Sequence, residues 1–157
     1  LAAQLGIPVP EAAALRDRYF ERFGKVRDYL EGLVAQARAD GYTQTMFGRR
    51  RYLPDLCSSN RQRREMAERA ALNAPIQGSA ADIVKIAMMD VATALSEADL
   101  TSRLLVQIHD ELLLEIAPGE EEAVEALVRE KMAWPVTLSV PLDVAVGIGA
   151  SWQLAAH

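Results

Sequence analysis

Three adjacent side chains that can bind a metal ion or transfer protons, His109, Asp110 and Glu111, lie within the sequence VQIHDELLLE. Two apolar runs, 104–106 and 112–114, flank them and are typical of the two arms of a β-hairpin. If both arms are anchored in a core, the carboxylates at the tip are rigid, which suits a hard cation such as Mg²⁺. An ordinary surface turn, in which Asp and Glu are simply common, would have the same pattern. Spacing alone leaves both interpretations open.

The number of carboxylates limits what this tip can do by itself. Two-metal phosphoryl transfer needs carboxylates that bridge ions about 3.5–4 Å apart, and one or two adjacent carboxylates are too few for that. If Asp110 binds metal, a second acidic ligand must therefore come from another part of the protein.

Three residues that donate hydrogen bonds, Arg69, Asn73 and Gln77, follow one another at intervals of four. On a helix this spacing puts them on one face. The minor groove of DNA presents mainly N3 and O2 acceptors at every base pair, so a row of donors can contact paired DNA without reading its sequence. An ordinary polar helix face would have the same spacing, and both interpretations stay open.

Arginine is concentrated between residues 49 and 69. This stretch has seven Arg and three acidic residues, a balance of +4, whereas the remaining 10 basic and 19 acidic residues balance to -9. The net charge of -5 argues weakly against a nucleic-acid partner, but the guanidinium fork suits phosphate oxygens. Arg61, Arg63 and Arg64 are candidates for phosphate contacts near the start of a helix. The alternative is a solvated helix face with ion pairs.

The first third of the chain predicts helices followed by a small hairpin. Apolar residues recur at helical intervals up to Asp40. Gly24 is expected to divide this segment into two helices, and Gly41 to end the second. The segment 42–53 predicts two short strands around a Phe-Gly turn, which Pro54 closes.

The remainder predicts one long helix, then strands and a further helix. In chain order the elements are a helix over 61–98, strands over 102–108 and 111–117, a helix over 120–133 and a buried strand over 140–149. Pro75 and Gly78 should break or distort the long helix. The order of elements predicts an α+β fold in which helices cover a small antiparallel sheet.

Length and composition fit a single soluble globular domain of 157 residues. No apolar run approaches the roughly 20 residues of a membrane span, and the start lacks the features of a signal peptide. We therefore expect a cytoplasmic protein without membrane contact. The chain does not begin with Met, which suggests a fragment, although a processed start would look the same. Cys57, the single cysteine, fits a reducing compartment and is interpreted as an inert loop thiol.

Four stretches occur in the order and spacing of one enzyme family: GYTQTMFGRRRYLPDL, SSNRQRREMAERAALNAPIQGSAADIVKIAMM, LLVQIHDELLLE and VPLDVAVGIGASW. They resemble the C-terminal part of the polymerase domain in the family A DNA polymerases, the family of bacterial DNA polymerase I. The resemblance covers residues 41 to about 152, and YFERFGKVRDYL looks like helices that follow the fingers. It implies a partial polymerase domain, with 1–40 as helices following the fingers. Residues 41–157 would be a C-terminal palm region whose catalytic hairpin lies at 104–116.

The resemblance also implies roles for individual residues. Asp110 matches the family's second catalytic aspartate, which binds a pair of Mg²⁺ ions, and Glu111 the supporting carboxylate beside it. The matched DNA contacts are His109 beside the primer terminus, Arg69, Asn73 and Gln77 at the minor groove, Arg63 and Arg64 on the template side, and Arg49 and Arg50 at backbone phosphates. The implied partners are primer–template DNA and deoxynucleoside triphosphates, bound by a monomer at the nucleoid.

Two parts of that family's active site have no match in this chain: the first catalytic aspartate and the fingers helix that grips the nucleotide. Residues 132–138 also depart from the family's usual text, and we expect them to alter only packing. The resemblance thus implies a fragment of an enzyme of DNA replication and repair that transfers nucleotides to a primer 3′-hydroxyl, inactive in isolation. The alternative is a stand-alone DNA-binding module that is indifferent to sequence and has no catalysis.

Overall fold

A computed structural model describes residues 2–133 and 135–155 of the chain. Its elements in chain order are α1 (Ala2–Leu5), α2 (Val9–Arg22), α3 (Gly24–Asp40), β1 (Tyr42–Gln44), β2 (Arg50–Tyr52), a 3₁₀ turn (Pro54–Cys57), α4 (Arg61–Glu97), β3 (Arg103–Ile108), β4 (Glu111–Glu115), α5 (Glu121–Ala133) and α6 (Trp152–Ala155). The strands form two separate antiparallel pairs, β1–β2 and β3–β4. The predicted α+β class is confirmed.

The chain divides into two compact units, Leu1–Ile76 and Gln77–His157. The division falls inside α4. The boundary proposed at residue 40 separates parts by function and stays a prediction.

In the first unit, α2 and α3 are separate helices, as predicted from Gly24. Gly41 ends α3 in a left-handed conformation with φ of 78°, and its N–H donates to the Ala37 carbonyl. Glycine adopts this conformation without a Cβ clash. Ala37 of α3 and Ala67 and Ala71 of α4 pack with Leu53 and Leu56 in the core of this unit.

The β1–β2 hairpin follows Gly41 directly. Its register pairs Tyr42 with Tyr52 and Gln44 with Arg50. The loop between the strands is organised by Thr45, whose hydroxyl oxygen accepts hydrogen bonds from the backbone N–H groups of Phe47 and Arg49. The predicted hairpin is confirmed.

Pro75 and Gly78 were predicted to break or distort the long helix; the break is wrong, and the distortion stays a prediction. Helix α4 continues through Pro75 and Gly78 without a break. Proline removes one backbone hydrogen bond and costs about 3 kcal/mol in a helix interior, so packing must offset this cost. Pro75 is itself buried, and Leu72 and Ala74, just before it, are strong helix formers.

The second unit is built around a core of Val91 and Leu95 from α4 and Val124 and Val128 from α5. Partly buried side chains that pack on it include Leu100, Leu112, Leu114, Ile116, Leu127, Met132 and Val146. The predicted helix over 120–133 and the two predicted strands before it are confirmed. Of the segment 132–138, Met132 joins this packing, whereas Trp134 lies outside the described residues.

The predicted buried strand over 140–149 is wrong, because none of these residues has strand hydrogen bonding. Exposure still alternates residue by residue from Pro141 to Gly147, the period of an extended chain. The backbone carbonyl of Val144 accepts a hydrogen bond of 2.7 Å from the Arg129 guanidinium. An apolar alternating pattern predicts which side chains are covered, but a strand also needs a neighbouring strand. Within the described ranges no helix is long and apolar enough to cross a membrane.

Candidate functional site

The tip of the β3–β4 hairpin carries the three residues singled out from the sequence. Ile108 pairs with Glu111, so His109 and Asp110 form a two-residue turn. All three of His109, Asp110 and Glu111 are exposed. His109 has a φ of 55°, in the left-handed region where residues other than glycine are uncommon. The Gln107 side chain donates a hydrogen bond of 2.9 Å to the His109 carbonyl, which fixes the turn.

The first strand of this hairpin has an irregular register. Leu104 pairs with Leu114 and Val106 with Leu113, so Leu105 is an extra residue in β3. Such a bulge bends and twists the strand, and bulges are frequent beside active sites. Leu105 and Val106 are 51% and 44% exposed. The expectation that both apolar arms are buried is therefore wrong for this part of β3.

The second strand provides the anchoring that the sequence predicted. Leu112 and Leu114 pack on the core of the second unit. This core includes Val91 from α4 and Val124 from α5, which are 0% and 2% exposed. The hairpin is therefore fixed along β4, on side chains from two helices, and its acidic tip extends from a rigid support.

The open end of the hairpin is closed by a carboxylate that the sequence analysis did not single out. Glu120 accepts four hydrogen bonds: from the backbone N–H of Thr101 (3.0 Å) and Ser102 (2.9 Å), and from the hydroxyls of Thr101 (2.8 Å) and Ser102 (2.6 Å). The Ser102 hydroxyl oxygen in turn accepts a hydrogen bond of 2.9 Å from the Ala117 N–H. We call Thr101, Ser102, Ala117 and Glu120 the base clamp.

The hydrogen bonds of the base clamp change the pKa of the Glu120 carboxyl group. The hydrogen bond from the Ser102 hydroxyl, followed by those from Thr101, lowers the pKa of Glu120 to about 2. Donors that point at a carboxylate stabilise its charged form. Glu120 also precedes α5, and its carbonyl accepts the Val124 N–H. A negative charge at this helix end is favourable.

Metal binding at the hairpin tip is limited by the ligands present. Asp110 and Glu111 are adjacent carboxylates, the hard oxygen donors that Mg²⁺ prefers. Among the residues that the structure describes, no three His, Cys, Asp or Glu side chains cluster closely enough to hold a metal ion. The chemistry of the tip fits a partial Mg²⁺ site, which further ligands would have to complete.

The candidate groove-contacting residues Arg69, Asn73 and Gln77 lie on the uninterrupted helix α4, and all three are exposed. Arg69 and Asn73 are four residues apart, which places them on one face of this helix. Arg69 and Asn73 belong to the first unit, and Gln77 belongs to the second, with the hairpin.

The candidate phosphate-binding arginines differ in their local contacts. Arg49 and Arg50 are exposed in the β1–β2 hairpin, and the Arg50 guanidinium carbon lies 4.5 Å from the centre of the Tyr42 ring. A cation over a ring face is attracted by the ring's electrons. Arg63 is exposed at the start of α4, whereas the Arg64 guanidinium donates to the Ser58 carbonyl at 2.9 Å. Arg64 thus already stabilises the loop before α4.

Nothing in the sequence pattern marks the base clamp. Glu120 is 18 and 19 positions away from Ser102 and Thr101, and Glu, Thr and Ser are common on surfaces. A left-handed His109 is also not evident from residue type, since glycine, asparagine and aspartate are the usual signals. Both features become visible only when the hairpin is folded.

Comparison with known proteins points to one family. The profile of DNA polymerase family A matches residues 1–154. DNA polymerase I of Mycobacterium tuberculosis is 66% identical over 157 residues, which are 100% of this chain and 17% of the relative. DNA polymerase I of Bacillus subtilis is 49% identical over 152 residues, 97% of this chain and 17% of the relative. The chain thus spans about a sixth of the length of these relatives.

Similarity extends to a solved structure. The chain resembles one described as the POL domain of Pol1 from M. smegmatis in complex with DNA primer-template and dNTP, with a TM-score of 0.95 and 61% identity. The match covers 100% of this chain and 28% of that one. The family profile covers nearly the whole chain, and high identity and close structural similarity agree with it. This chain belongs to the family A DNA polymerases.

Proposed function

We propose that this chain is the C-terminal part of the polymerase domain of a longer DNA-directed DNA polymerase, which we call the parent polymerase. The relatives named DNA polymerase I are about six times as long as the chain, since it covers 17% of one of them. The solved relative at 61% identity is a polymerase domain in complex with primer-template and dNTP. The observation on which the proposal rests is the rigid hairpin with Asp110 and Glu111 at its tip.

In the proposed reaction, the primer 3′-hydroxyl attacks the α-phosphate of a nucleotide, a new phosphodiester bond forms, and pyrophosphate leaves. Bound Mg²⁺ would supply charge stabilisation to the attacking and leaving oxygens. Asp110 would be a direct ligand, and Glu111 would support it. Because β4 is anchored in the core and the turn is fixed by Gln107, the Asp110 backbone needs little reorganisation before reaction.

The proposed DNA contacts fall into three groups. Arg69, Asn73 and Gln77 would donate hydrogen bonds to minor-groove acceptors near the primer end, and His109 would lie beside the primer terminus. Such donors contact every correct base pair in the same way. The phosphate contacts would come from Arg49, Arg50, Arg63 and Arg64. Phosphate contacts position a duplex without reading its sequence, as a polymerase requires.

The division of roles along the chain is also part of the proposal. Residues 1–40 would be the helices that follow the fingers, and 41–157 the C-terminal palm region with its catalytic hairpin at 104–116. The isolated chain would not catalyse incorporation, because Asp110 and Glu111 alone are too few carboxylates for a two-metal centre. The parent polymerase would act as a monomer at the nucleoid, in replication and repair.

Single-turnover nucleotide incorporation by the parent polymerase tests the role of Asp110. We expect Asp110→Ala to lower the rate by about 10³-fold or more, because several kcal/mol of transition-state stabilisation are lost. The affinity for primer–template should change by less than about 2-fold, since phosphate contacts dominate binding. Incorporation by Asp110→Ala at the normal rate would refute the proposal.

A matched control is Glu115→Gln, which removes another hairpin carboxylate. Glu115 is exposed and pairs with Arg103 at the open end, at 2.6 Å, so its loss should leave incorporation within about 2-fold, the size of an exposed ion pair. The isolated chain is assayed in parallel by primer extension and by a gel shift at increasing salt. Extension by the isolated chain would contradict the predicted inactivity, and tight, salt-sensitive binding alone would favour the stand-alone DNA-binding module.

A further inference from the structure

The β3–β4 hairpin has two ends, and its open end is fixed by side chains rather than by further strand pairing. The last strand pair at that end is Arg103 with Glu115. Immediately outside it, the Ser102 hydroxyl oxygen accepts the Ala117 N–H at 2.9 Å. Ser102 is only 6% exposed, so this contact is shielded from water. The Ser102 side chain thus continues the ladder by one step between the two strands.

Glu120 links this step to α5. Its two carboxylate oxygens are divided between neighbouring residues, with one oxygen on Thr101 and the other on Ser102. Its own N–H donates to the Ala117 carbonyl at 3.1 Å, and its carbonyl accepts the Val124 N–H. One residue therefore connects the chain before β3, the chain after β4 and the first turn of α5.

We propose that Glu120 is a positioning residue for Asp110. Its carboxylate fixes the angle between the β3–β4 hairpin and α5, and thereby the position of the hairpin tip that bears Asp110. This inference rests on the proposed function of Asp110. It concerns a residue remote from the reacting atoms, which acts only through the hairpin. Thr101, Ser102 and Ala117 transmit its effect.

The length of the hairpin makes its base important. Strand β3 has 6 residues, so the tip lies roughly 20 Å from the clamp at about 3.3 Å per residue. A rotation of about 3° at the base would then move the tip by roughly 1 Å. A misplacement of about 1 Å can cost about 10²-fold in rate. The bulge at Leu105 already disturbs the ladder in β3, so the exposed first strand alone would constrain the direction poorly.

This function requires an acceptor on each of the two side-chain oxygens, because each receives a backbone N–H that can only donate. The ionised carboxylate offers acceptors on both oxygens, whereas the amide of glutamine would direct an NH₂ group at one pair of N–H and O–H donors. Glu120→Gln is therefore nearly isosteric but lacks half of the acceptors. The pKa of Glu120, lowered to about 2, is consistent with a carboxylate that stays ionised at any pH at which a polymerase works.

The test is single-turnover incorporation by the parent polymerase at saturating primer–template. We expect Glu120→Gln to lower the maximal rate by roughly 10-fold and Glu120→Ala by up to about 100-fold, the cost of moving the tip by about 1 Å. Primer–template affinity should stay within about 2-fold, because no phosphate contact is lost. Ser102→Ala removes two of the hydrogen bonds and Thr101→Val removes one, so their effects should be smaller, in that order.

Several readouts separate positioning from simple loss of structure. The variants are compared at equal concentrations of DNA-bound enzyme and at a temperature at which each is folded by circular dichroism. A displaced Asp110 should also raise the Mg²⁺ concentration needed for half-maximal rate, which a mere loss of folded protein would not change. Glu115→Gln, which alters the other carboxylate at the same end of the hairpin, should match the unaltered enzyme in both readouts.

The outcomes distinguish this inference from the function on which it rests. If Asp110→Ala retains full activity, the proposed function fails. If Asp110→Ala is inactive but folded Glu120→Gln and Glu120→Ala keep the normal rate and Mg²⁺ requirement, only the positioning role fails. A loss confined to DNA affinity would also overturn it.

Discussion

The two hairpins of this chain have opposite charges and opposite kinds of support. The β1–β2 hairpin is three residues long on each side and has the exposed arginines 49–51. Its β2 strand is exposed at every position. The β3–β4 hairpin is longer, has Asp110 and Glu111 at its tip, rests on a core through β4 and is fixed at its base by Glu120.

The difference in support follows from how precisely each proposed function, phosphate binding or metal binding, requires its side chains to be positioned. A guanidinium that attracts a phosphate acts through charge over several ångströms and adapts by rotating its side chain. A carboxylate that completes a metal site has to lie within a few tenths of an ångström of its ion. A short, solvated hairpin suffices for the first task, whereas the second needs a strand whose side chains pack on a core and a fixed base.

The largest difference between the two hairpins should appear when the core that supports each of them is truncated. Leu95→Ala removes a side chain that is 4% exposed from the core under β3–β4, and Leu53→Ala one that is 7% exposed beside β1–β2. Each truncation should cost about 2–5 kcal/mol, through lost burial and the cavity left behind. Hydrogen exchange of the parent polymerase should show Leu95→Ala deprotecting mainly 103–115, and Leu53→Ala mainly 42–52. Equal deprotection of both hairpins by either variant would contradict their separate support.

Low pH should weaken the open end of the β3–β4 hairpin, where the base clamp lies. It should not weaken the arginine-rich β1–β2 hairpin. The pKa of Glu120 falls from its ordinary 4.5 to about 2 because Ser102 and Thr101 donate hydrogen bonds to its charged form. A group whose pKa is lowered by folding stabilises the folded state fully above the ordinary value, and this contribution disappears as pH falls through the lowered one. The contribution of Glu120 should therefore be complete above about pH 4.5 and lost towards pH 2.

Hydrogen exchange at the Ser102 and Ala117 amides, corrected for the intrinsic rate at each pH, measures this local stability. The difference between the unaltered protein and Glu120→Gln should be constant above pH 4.5 and vanish on approach to pH 2. The Thr45 amide, which donates to the Arg49 carbonyl in the other hairpin, is the control and should show no such dependence. A difference that grows as pH falls would have the wrong sign for a lowered pKa.

A smaller effect should follow from loss of charge in the basic hairpin. Arg50→Ala should weaken primer–template binding about equally for different sequences, and lower the slope of log affinity against log salt by about 1. Arg51→Ala, at the neighbouring exposed position, shows whether the effect is specific to Arg50 or spread over the hairpin. Incorporation at saturating DNA should stay normal, in contrast to Asp110→Ala. An unchanged salt slope would exclude a phosphate contact by Arg50.

The sequence predicted most of the local structure correctly because its signals were local. Gly41 ends α3 through its own backbone conformation, and the division of α2 from α3 falls at Phe23, next to the predicted Gly24. The strands around His109 to Glu111 follow from the two apolar runs that flank these residues. The interruption at Pro75 was wrong because the packing of α4 outweighs one lost hydrogen bond. The strand over 140–149 was wrong because a strand depends on a partner that its own residues do not specify.

In the candidate site, too, residues with local sequence signals were predicted and residues that depend on distant partners were not. Residue type and resemblance proposed Asp110 and Glu111 as catalytic residues and Arg69, Asn73 and Gln77 on α4 as DNA contacts, and these roles stay predictions. Neither signal identified Glu120, whose hydrogen bonds form only when residues 18 and 19 positions away come together. A pattern therefore indicates which groups could react, whereas the groups that orient them become visible in the three-dimensional contacts.

The smallest effect is expected from glycine substitutions at the two non-glycine residues with positive φ in the part of the chain that the structure describes. These residues are Asp99 (53°) and His109 (55°). Asp99 ends α4 in a Schellman motif: its N–H donates to the Ser96 carbonyl, and that of Leu100 to the Leu95 carbonyl. Glycine at either position should relieve left-handed strain and add up to about 1 kcal/mol of stability.

Asp99→Gly should leave incorporation unchanged, whereas His109→Gly should slow it, since the imidazole is the proposed neighbour of the primer terminus. Thermal unfolding and single-turnover rates measure both. Normal incorporation by a stabilised His109→Gly would mean that the strained residue at the tip, like the one at the helix end, only shapes the backbone.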